Sequence, residues 1–511
     1  MDNRTNSKRV AKNTVFLFLR MLVVICVGLY TSRIVLNTLG VQDFGIYNVV
    51  GGIVVLFSFL QSALTNATYR FLAYDMGSGN TFSLGHTFSM SVNAHWILAL
   101  LIFILCETVG LWFLNNELSF PKGRLEAANI AFQFSVLCFC VNIIKTPYNS
   151  AIIAHERMNF YAYTSVLEAV LKLSVAYVLY ISPWDKLSVY SFLLFSVSLL
   201  LLIWYWLHCK KHFKECTYHV CWDTLLLKRM LGYSGWSMVA SMMDVGVAQS
   251  AIFFFNIFFG VVANAALGIA SQVNAQLIQL INNFKQAYTP QIIKAYARGD
   301  KVYFLNIIYS TSKLSYFLLL LVSVPLSLNI DFILKLWLGV VPDGTGLFVL
   351  LVVLYSLVDA YSAPLWIAVY ATGKLRTHQL LMSGIKVLNI PLAYMLLKSG
   401  FEAWTILALK VILNIVCSVV CPLYMVRLIN LPFWRYVKLV FVPMLIVSMF
   451  SIPIPICLGK IYVDSWMRLF VTSVAFFFIY GVCVMTIGLS HKEKGLLRDF
   501  LKIRHHPQIR N

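Results

Sequence analysis

Charge is the scarcest property of this 511-residue chain: Asp, Glu, Lys and Arg together make up 12% of it, against about 25% in soluble globular domains. With 60% hydrophobic residues and a mean hydropathy of +0.79, it cannot clothe a water-soluble globule of this size in polar surface. The sequence also lacks the alternating segments of about ten residues that make an outer-membrane barrel. Its apolar runs reach about 20 residues, enough for a helix rising about 1.5 Å per residue to cross a hydrocarbon layer of about 30 Å. The expected fold is an all-α polytopic membrane protein.

Other absences narrow the function. The aqueous loops hold no Gly-x-x-x-x-Gly-Lys-Ser/Thr phosphate loop, no nucleotide-binding fold and no paired carboxylates in a metal-binding or glycosyl-transfer motif. ATP hydrolysis is excluded, no cofactor or metal is implied, and the chain is expected not to be an enzyme. The 11 cysteines lie mainly in apolar segments, where they act as small hydrophobes, so no disulfide framework follows. His208, Cys209, His212, Cys216, His219 and Cys221 crowd one loop, but their spacing matches no strong zinc pattern, and the bland reading is a reduced cytosolic loop. At the N-terminus, Arg4, Lys8, Arg9 and Lys12 precede an apolar run that is too long for a signal peptide and has no small-x-small cleavage site, so it reads as a retained first span.

What is present is organised around residues 20–79, a hydrophobic helix, the turn Leu39-Gly40-Val41-Gln42-Asp43-Phe44-Gly45-Ile46-Tyr47-Asn48, and a second hydrophobic helix. Hydropathy predicts spans at 14–36, 44–66, 88–113, 126–146, 160–182, 187–208, 234–256, 264–286, 310–333, 346–370, 378–399, 404–426, 436–458 and 467–489, about 14 in all. The first six and the next six match at a shift near 220, which sets Gly40-Val41 on Gly260-Val261. The organisation expected is a six-helix half (1–208), a linker (209–233), a second six-helix half (234–430), two further membrane helices (431–490) and a basic tail (491–511). An even number of spans returns the chain to the same side, so the halves are related by a pseudo-twofold along the membrane normal, a plan typical of alternating-access transporters.

Of the 40 Lys and Arg residues, 27 fall on the side of the N-terminus, 8 on the other side and 5 within spans. The side richer in Lys and Arg is the cytoplasmic one, so both termini and the linker are expected there, with the tail lying on the anionic inner leaflet. The net charge of +20 thus reflects topology, and no nucleic-acid partner is implied.

A cation at the centre of a span costs about 2.5–3.5 kcal/mol on insertion scales, so such residues face protein or a wet cavity. Arg20 stays charged and forks onto phosphate; an ion pair with Asp244 is the structural alternative. Lys172 follows Glu168 by four residues, the spacing of a helical ion pair. Lys386 and Lys410 have no acidic residue one turn away in the sequence, which suits an anionic ligand. Asp244, Asp359 and Glu168 are the candidates for ion coupling, with structural pairing as the bland role. Asn264, Gly268, Gln272, Gln276, Gln279 and Asn283 recur at three or four residues and share one helical face. Helix–helix packing would explain part of such a stripe, and a hydrated lumen where amides meet sugar hydroxyls explains a row this long.

The turn Leu39-Gly40-Val41-Gln42-Asp43-Phe44-Gly45-Ile46-Tyr47 resembles the Leu-Gly-x-x-x-Phe/Tyr-Gly-x-Tyr signature of bacterial polysaccharide exporters in the multidrug/oligosaccharidyl-lipid/polysaccharide flippase superfamily. Ile333-Leu334-Lys335-Leu336-Trp337-Leu338-Gly339 resembles a second hallmark. The resemblance implies an O-antigen or capsule flippase of the inner membrane, moving an undecaprenyl-pyrophosphate-linked oligosaccharide to the periplasmic leaflet. Its implied partners are the lipid-linked oligosaccharide, the phospholipid bilayer, a polysaccharide polymerase and glycosyltransferases. The substrate-binding residues would be Arg20, Lys172, Lys386, Lys410, Gln272, Gln276, Gln279 and Asn283. The alternatives are a lipid II flippase, a drug or cation exporter of the same superfamily, and, from another class, a membrane polysaccharide polymerase or ligase. The last tends to carry a large periplasmic loop, which this chain lacks.

Overall fold

The structure, a computed structural model, describes residues 3–78, 81–121, 123–155, 157–372, 374–462, 465–490 and 493–495. Among them there are helices and turns and no strand. The chain runs through α1 (Asn3–Val55), α2 (Ser58–Ser78), α3 (Thr81–Leu105), a π turn (Cys106–Gly110), α4 (Leu111–Asn116), α5 (Leu125–Ala154), α6 (Met158–Ile181) and α7 (Lys186–His212). After a 3-10 turn (Lys214–Cys216) come α8 (Thr224–Phe259), α9 (Val261–Ala297), α10 (Lys301–Leu328), α11 (Ile330–Leu338), α12 (Thr345–Thr372), α13 (Leu375–Val387), α14 (Asn389–Lys398) and α15 (Trp404–Ile429). The last elements are α16 (Phe433–Tyr436), a π turn (Val437–Phe441), α17 (Val442–Ser451), α18 (Pro453–Ile461), α19 (Trp466–Cys483) and a π turn (Val484–Gly488).

Among the described residues 13 helical runs are long and apolar enough to cross a membrane, which makes the chain an all-α polytopic membrane protein. One of these runs, Val23–Val55, holds the end of the predicted first span and the start of the second. Within it the backbone breaks at Gly40, whose φ of 79° and ψ of 168° lie where only glycine sits without a Cβ clash. The predicted second span is broken again between α1 and α2. Gly260, between α8 and α9, takes the same turn, with φ 79° and ψ −173°.

Residues one repeat apart also meet in space. A Cβ on Gly268 would stand 1.8 Å from the amide nitrogen of Asn48, and one on Gly45 would stand 1.9 Å from the carbonyl oxygen of Val261. At a shift of 220, Asn48 corresponds to Gly268, whereas Gly45 corresponds to Ala265, one turn beyond Val261.

Contacts group the chain into two compact units, residues 1–268 with 337–343 and 390–403, and residues 269–336 with 344–389 and 404–511. In the first, Ile46, Val49, Val50 and Ile53 of α1 pack against Ile102 of α3 and Ala128, Phe132 and Val136 of α5. Arg124 forks onto Asp43 of the signature turn, with Nε to Oδ1 at 2.9 Å and a second, shorter bond from NH2. Its NH1 donates to Asp185 at 2.6 Å, and Asp185 caps α7 by accepting from the Ser188 amide at 3.0 Å. Buried Asn256 clamps the 117–121 loop, donating to the Ser119 carbonyl at 3.1 Å and accepting from the Ser119 amide at 2.8 Å. Trp337 of the second hallmark donates to the Leu29 carbonyl at 2.7 Å.

In the second unit α12 packs against α10 and α15. The predicted span 310–333 does not hold as one helix: α10 stops at Leu328, and α11 begins at Ile330. Asn329 between them donates to the Pro325 carbonyl at 3.1 Å and to Thr472 Oγ1 at 3.0 Å, while Arg468 donates to the Leu328 carbonyl at 3.1 Å. Lys313, one of the five cations assigned to spans, is buried against Glu493 at 2.8 Å. The basic tail after residue 495 lies outside the described residues.

Candidate functional site

The charges that the sequence singles out stand on membrane helices of both units. On α6, Lys172 Nζ donates to Glu168 Oε1 at 2.7 Å, with side-chain exposures of 47% and 34%. The i,i+4 spacing thus makes the pair that it predicts, yet the pair is only partly screened from its surroundings. Lys145 stands close enough for its charge to act on Glu168, and its Nζ lies 5.8 Å from the centre of the Tyr205 ring. The sequence reading ends this span at 146 and counts Lys145 among the cations of the N-terminal side. In fact α5 runs through Pro147 to Ala154, which membrane helices tolerate where neighbours satisfy the freed carbonyl.

Asp244 on α8 is exposed and lines a cavity of about 470 Å³ with Ser58, Gln61, Ser62 and Thr65 of α2 and Ser241. Five hydroxyl or amide side chains around one carboxylate make a polar recess inside the first unit. The side chain of Arg20 lies outside the described residues.

On α9 the amide row divides. Asn264 is buried at 1% exposure, and Gly268 is covered by Asn48, so these two belong to the packed core of the first unit. From Gln272 onward the row opens: Gln272, Gln276, Gln279 and Asn283 are half-buried. At about 100° per residue they share one face. Leu277 and Ile281 are buried on the opposite face, where Asn274 accepts a hydrogen bond from Ser356 of α12 at 2.9 Å. Asn274 is an amide that periodicity missed, since it lies two residues from Gln272 and so turns away from the stripe.

Lys386 on α13 holds its Nζ 5.6 Å from the Trp366 ring centre, and Lys410 on α15 holds its own 4.9 Å from that of Tyr355. Each also has a further polar or charged interaction. Cations over aromatic faces are stabilised by the ring quadrupole while keeping their charge. His378, which carried no signal in the sequence, is buried edge-on to Trp366 at 4.5 Å and bonds Cys421 Sγ at 3.4 Å. Asp359 on α12 is half-buried near Tyr288.

The Cys/His stretch folds into order. Cys209 and Cys216 are buried, His208 stacks between Phe160 at 3.6 Å and His212 at 4.2 Å, and His155 stacks on Phe213 at 3.9 Å. Among the described residues no three His, Cys, Asp or Glu side chains converge as metal ligands. Each unit by itself carries lysines on membrane helices, the first together with Glu168 and Asp244, the second together with Asp359 and the half-buried amide row.

No protein-family model matches the sequence, and no curated protein matches it. Solved structures do match in fold. The lipid II flippase MurJ in an inward closed conformation superposes with a TM-score of 0.67 at 11% identity, covering 93% of this chain and 98% of that one. A multidrug resistance MATE family transporter of the MOP superfamily, facing inward, gives 0.64 at 16% identity over 80% of this chain and 94% of that one. A MOP superfamily transporter from Pyrococcus furiosus gives 0.60 at 15% identity over 82% and 96%. The chain has the fold of these MOP superfamily transporters.

Proposed function

We propose that this chain is a flippase for a lipid-linked oligosaccharide, moving an undecaprenyl-pyrophosphate-linked O-antigen or capsule repeat unit from the cytoplasmic to the periplasmic leaflet of a bacterial inner membrane by alternating access. The observation that carries the reading is the cationic, amide-bearing character of the membrane helices: Lys145, Lys172, Lys386 and Lys410 stand within spans, alongside the half-buried row Gln272, Gln276 and Gln279. Lysines suit a pyrophosphate and amides suit sugar hydroxyls, whereas a cationic drug would be repelled. Both termini lie in the cytoplasm in this reading, and a polymerase and glycosyltransferases act on either side of the transport step. Arg20 guides the pyrophosphate. A second reading, export of a cation, is favoured by the exposed Asp244 in its hydroxyl-lined recess.

Depletion of the chain from its own cells tests the proposal. The lipid-linked oligosaccharide should accumulate on the cytoplasmic leaflet, and Arg20→Lys should restore much more export than Arg20→Ala, because a charge-assisted bond to phosphate contributes about 1.5–3 kcal/mol. No accumulation on depletion contradicts the proposal. Recovery by the double swap Arg20→Asp with Asp244→Arg would make Arg20 a structural partner instead.

A further inference from the structure

The connection between α7 and α8 is a fastened strap. Its Tyr218 hydroxyl donates to Asn93 Oδ1 at 2.8 Å, Asn93 donates back to the Cys221 carbonyl at 2.6 Å, the His219 amide donates to Ser89 Oγ at 3.1 Å, and the Asp223 amide reaches Met90 Sδ at 3.4 Å. Its own Phe213 and Cys216 are buried, and Asp223 caps α8 by accepting from the Leu226 amide at 2.9 Å. Four hydrogen bonds to Ser89, Met90 and Asn93 fasten the strap along α3, and beside it, where Glu215 and Phe213 meet His155 at the end of α5, lies a cavity.

That cavity, of about 1180 Å³, is lined by His86, His155, Arg157, His212, Lys214 and His219, with Glu215 as the carboxylate on its described wall. Glu215 is engaged by His155, Nε2 to Oε1 at 2.5 Å. The exposed Arg157 and Lys214 therefore face the space with an excess of positive charge, and the imidazoles add N–H donors. Across the strap lies a second cavity of about 710 Å³, lined by Trp96, Ile97, Tyr148, Tyr218 and Trp222 and sharing Val220 and Cys221 with the first. Trp96 and Trp222 are more than half exposed. A basic chamber thus adjoins an aromatic groove at one end of the first unit, on the side where Lys and Arg are concentrated.

We infer that this strap builds a docking site for a phosphate-bearing isoprenoid lipid, with the phosphate or pyrophosphate in the chamber against Arg157 and Lys214 and the first isoprenyl units along Trp96 and Trp222. The choice of lipid rests on the proposed function; anion binding in the chamber does not. Arg supplies a planar fork and Lys a point charge, the two donors that recur in phosphate sites. An indole with an apolar body and a polar tip suits the boundary where an isoprenyl chain leaves its head group. The site uses none of Arg20, Lys172, Lys386 and Lys410, and it would load substrate before any conformational change.

The test uses the whole protein in nanodiscs, with farnesyl pyrophosphate and inorganic pyrophosphate as probes and bound ligand read by calorimetry. Both should bind, the farnesyl compound more tightly. Arg157→Gln and Lys214→Gln should each weaken both probes by about tenfold, while Lys210→Gln, at the same end but over the Trp206 ring, leaves both unchanged. Trp96→Ala and Trp222→Ala should weaken the farnesyl probe alone. Equal affinity for the two probes, with no effect of the Trp changes, assigns the chamber to a soluble anion and overturns the lipid. No binding, or binding that Lys210→Gln weakens as much as Arg157→Gln does in variants with unchanged melting temperature, overturns the site. Binding without transport of a lipid-linked oligosaccharide leaves this site standing and refutes the proposed function.

Discussion

Alanine at Gly45 is the most direct challenge to the packing around the signature turn. Its Cβ would fall 1.9 Å from the carbonyl oxygen of Val261 and 2.8 Å from the carbonyl carbon, where optimal contacts between carbon atoms are about 3.5–4.0 Å. Both sides of this contact are helix backbone, so no flexible side-chain end can give way, and α1 and the start of α9 must move apart. Overpacking of this kind costs about 1–3 kcal/mol. Gly51, on the same stretch of helix, has nothing within 4 Å of the corresponding position, and alanine there should stabilise by about 0.5–1 kcal/mol through backbone entropy. The same entropy gain acts at Gly45, so the difference between the two variants isolates the clash at about 1–3 kcal/mol. Thermal melting of both in detergent measures it, and Gly45→Ala should melt below the parent or well below Gly51→Ala. If Gly45→Ala melts at or above Gly51→Ala, the close approach is wrong.

Three further outcomes are expected. Glu493→Gln leaves Lys313 buried without its counter-charge and should destabilise by about 3–5 kcal/mol, with much of the loss recovered when Lys313→Met is added; denaturant melting of the single and double variants checks this. Burial opposes the Glu493 charge, but hydrogen bonds from Lys313, Ser310 and the Ser490 amide hold its carboxyl below the ordinary value of 4.5. Its stabilisation is therefore fully present above that value and is lost as pH falls through the lower folded value, so the gap between parent and Glu493→Gln should be flat from pH 7 to about 5 and close in stronger acid. Replacing Gln272 and Gln276 by Leu should reduce transport with melting unchanged, whereas Leu277→Ala, on the buried face, should cost about 2–5 kcal/mol of stability with transport per folded molecule retained. A single cysteine at Lys211 should resist an impermeant reagent in intact cells and react after lysis; labelling in intact cells would reverse the orientation.

The sequence carried much of the helical architecture because long apolar runs need only local composition to be read. It also carried the Gly40 and Gly260 turns, whose backbone requirement is local. The roles of Asp43 and Trp337 within their motifs were out of reach, since their partners Arg124 and Leu29 lie far away in the chain. Lys145 was missed because it stands at the very end of the predicted span 126–146 while α5 continues to Ala154, and Asn274 because its amide turns to the opposite face of its helix. The break at Asn329 was hidden because apolar residues continue through it. In the sequence the strap reads as a reduced cytosolic loop crowded with Cys and His, for its anchors on α3 are side chains more than a hundred residues away, as the Asn93 and Cys221 pair shows.

Transport itself can be measured most directly in sealed vesicles holding the purified chain and a labelled undecaprenyl-pyrophosphate oligosaccharide in the inner leaflet, with a sugar-modifying reagent added outside. The account predicts that the label becomes accessible without ATP, faster than in protein-free vesicles, and that Lys386→Gln with Lys410→Gln slows it in protein of unchanged melting temperature. Label that stays protected at the protein-free rate, while a cationic dye crosses the same vesicles, would contradict the flippase reading.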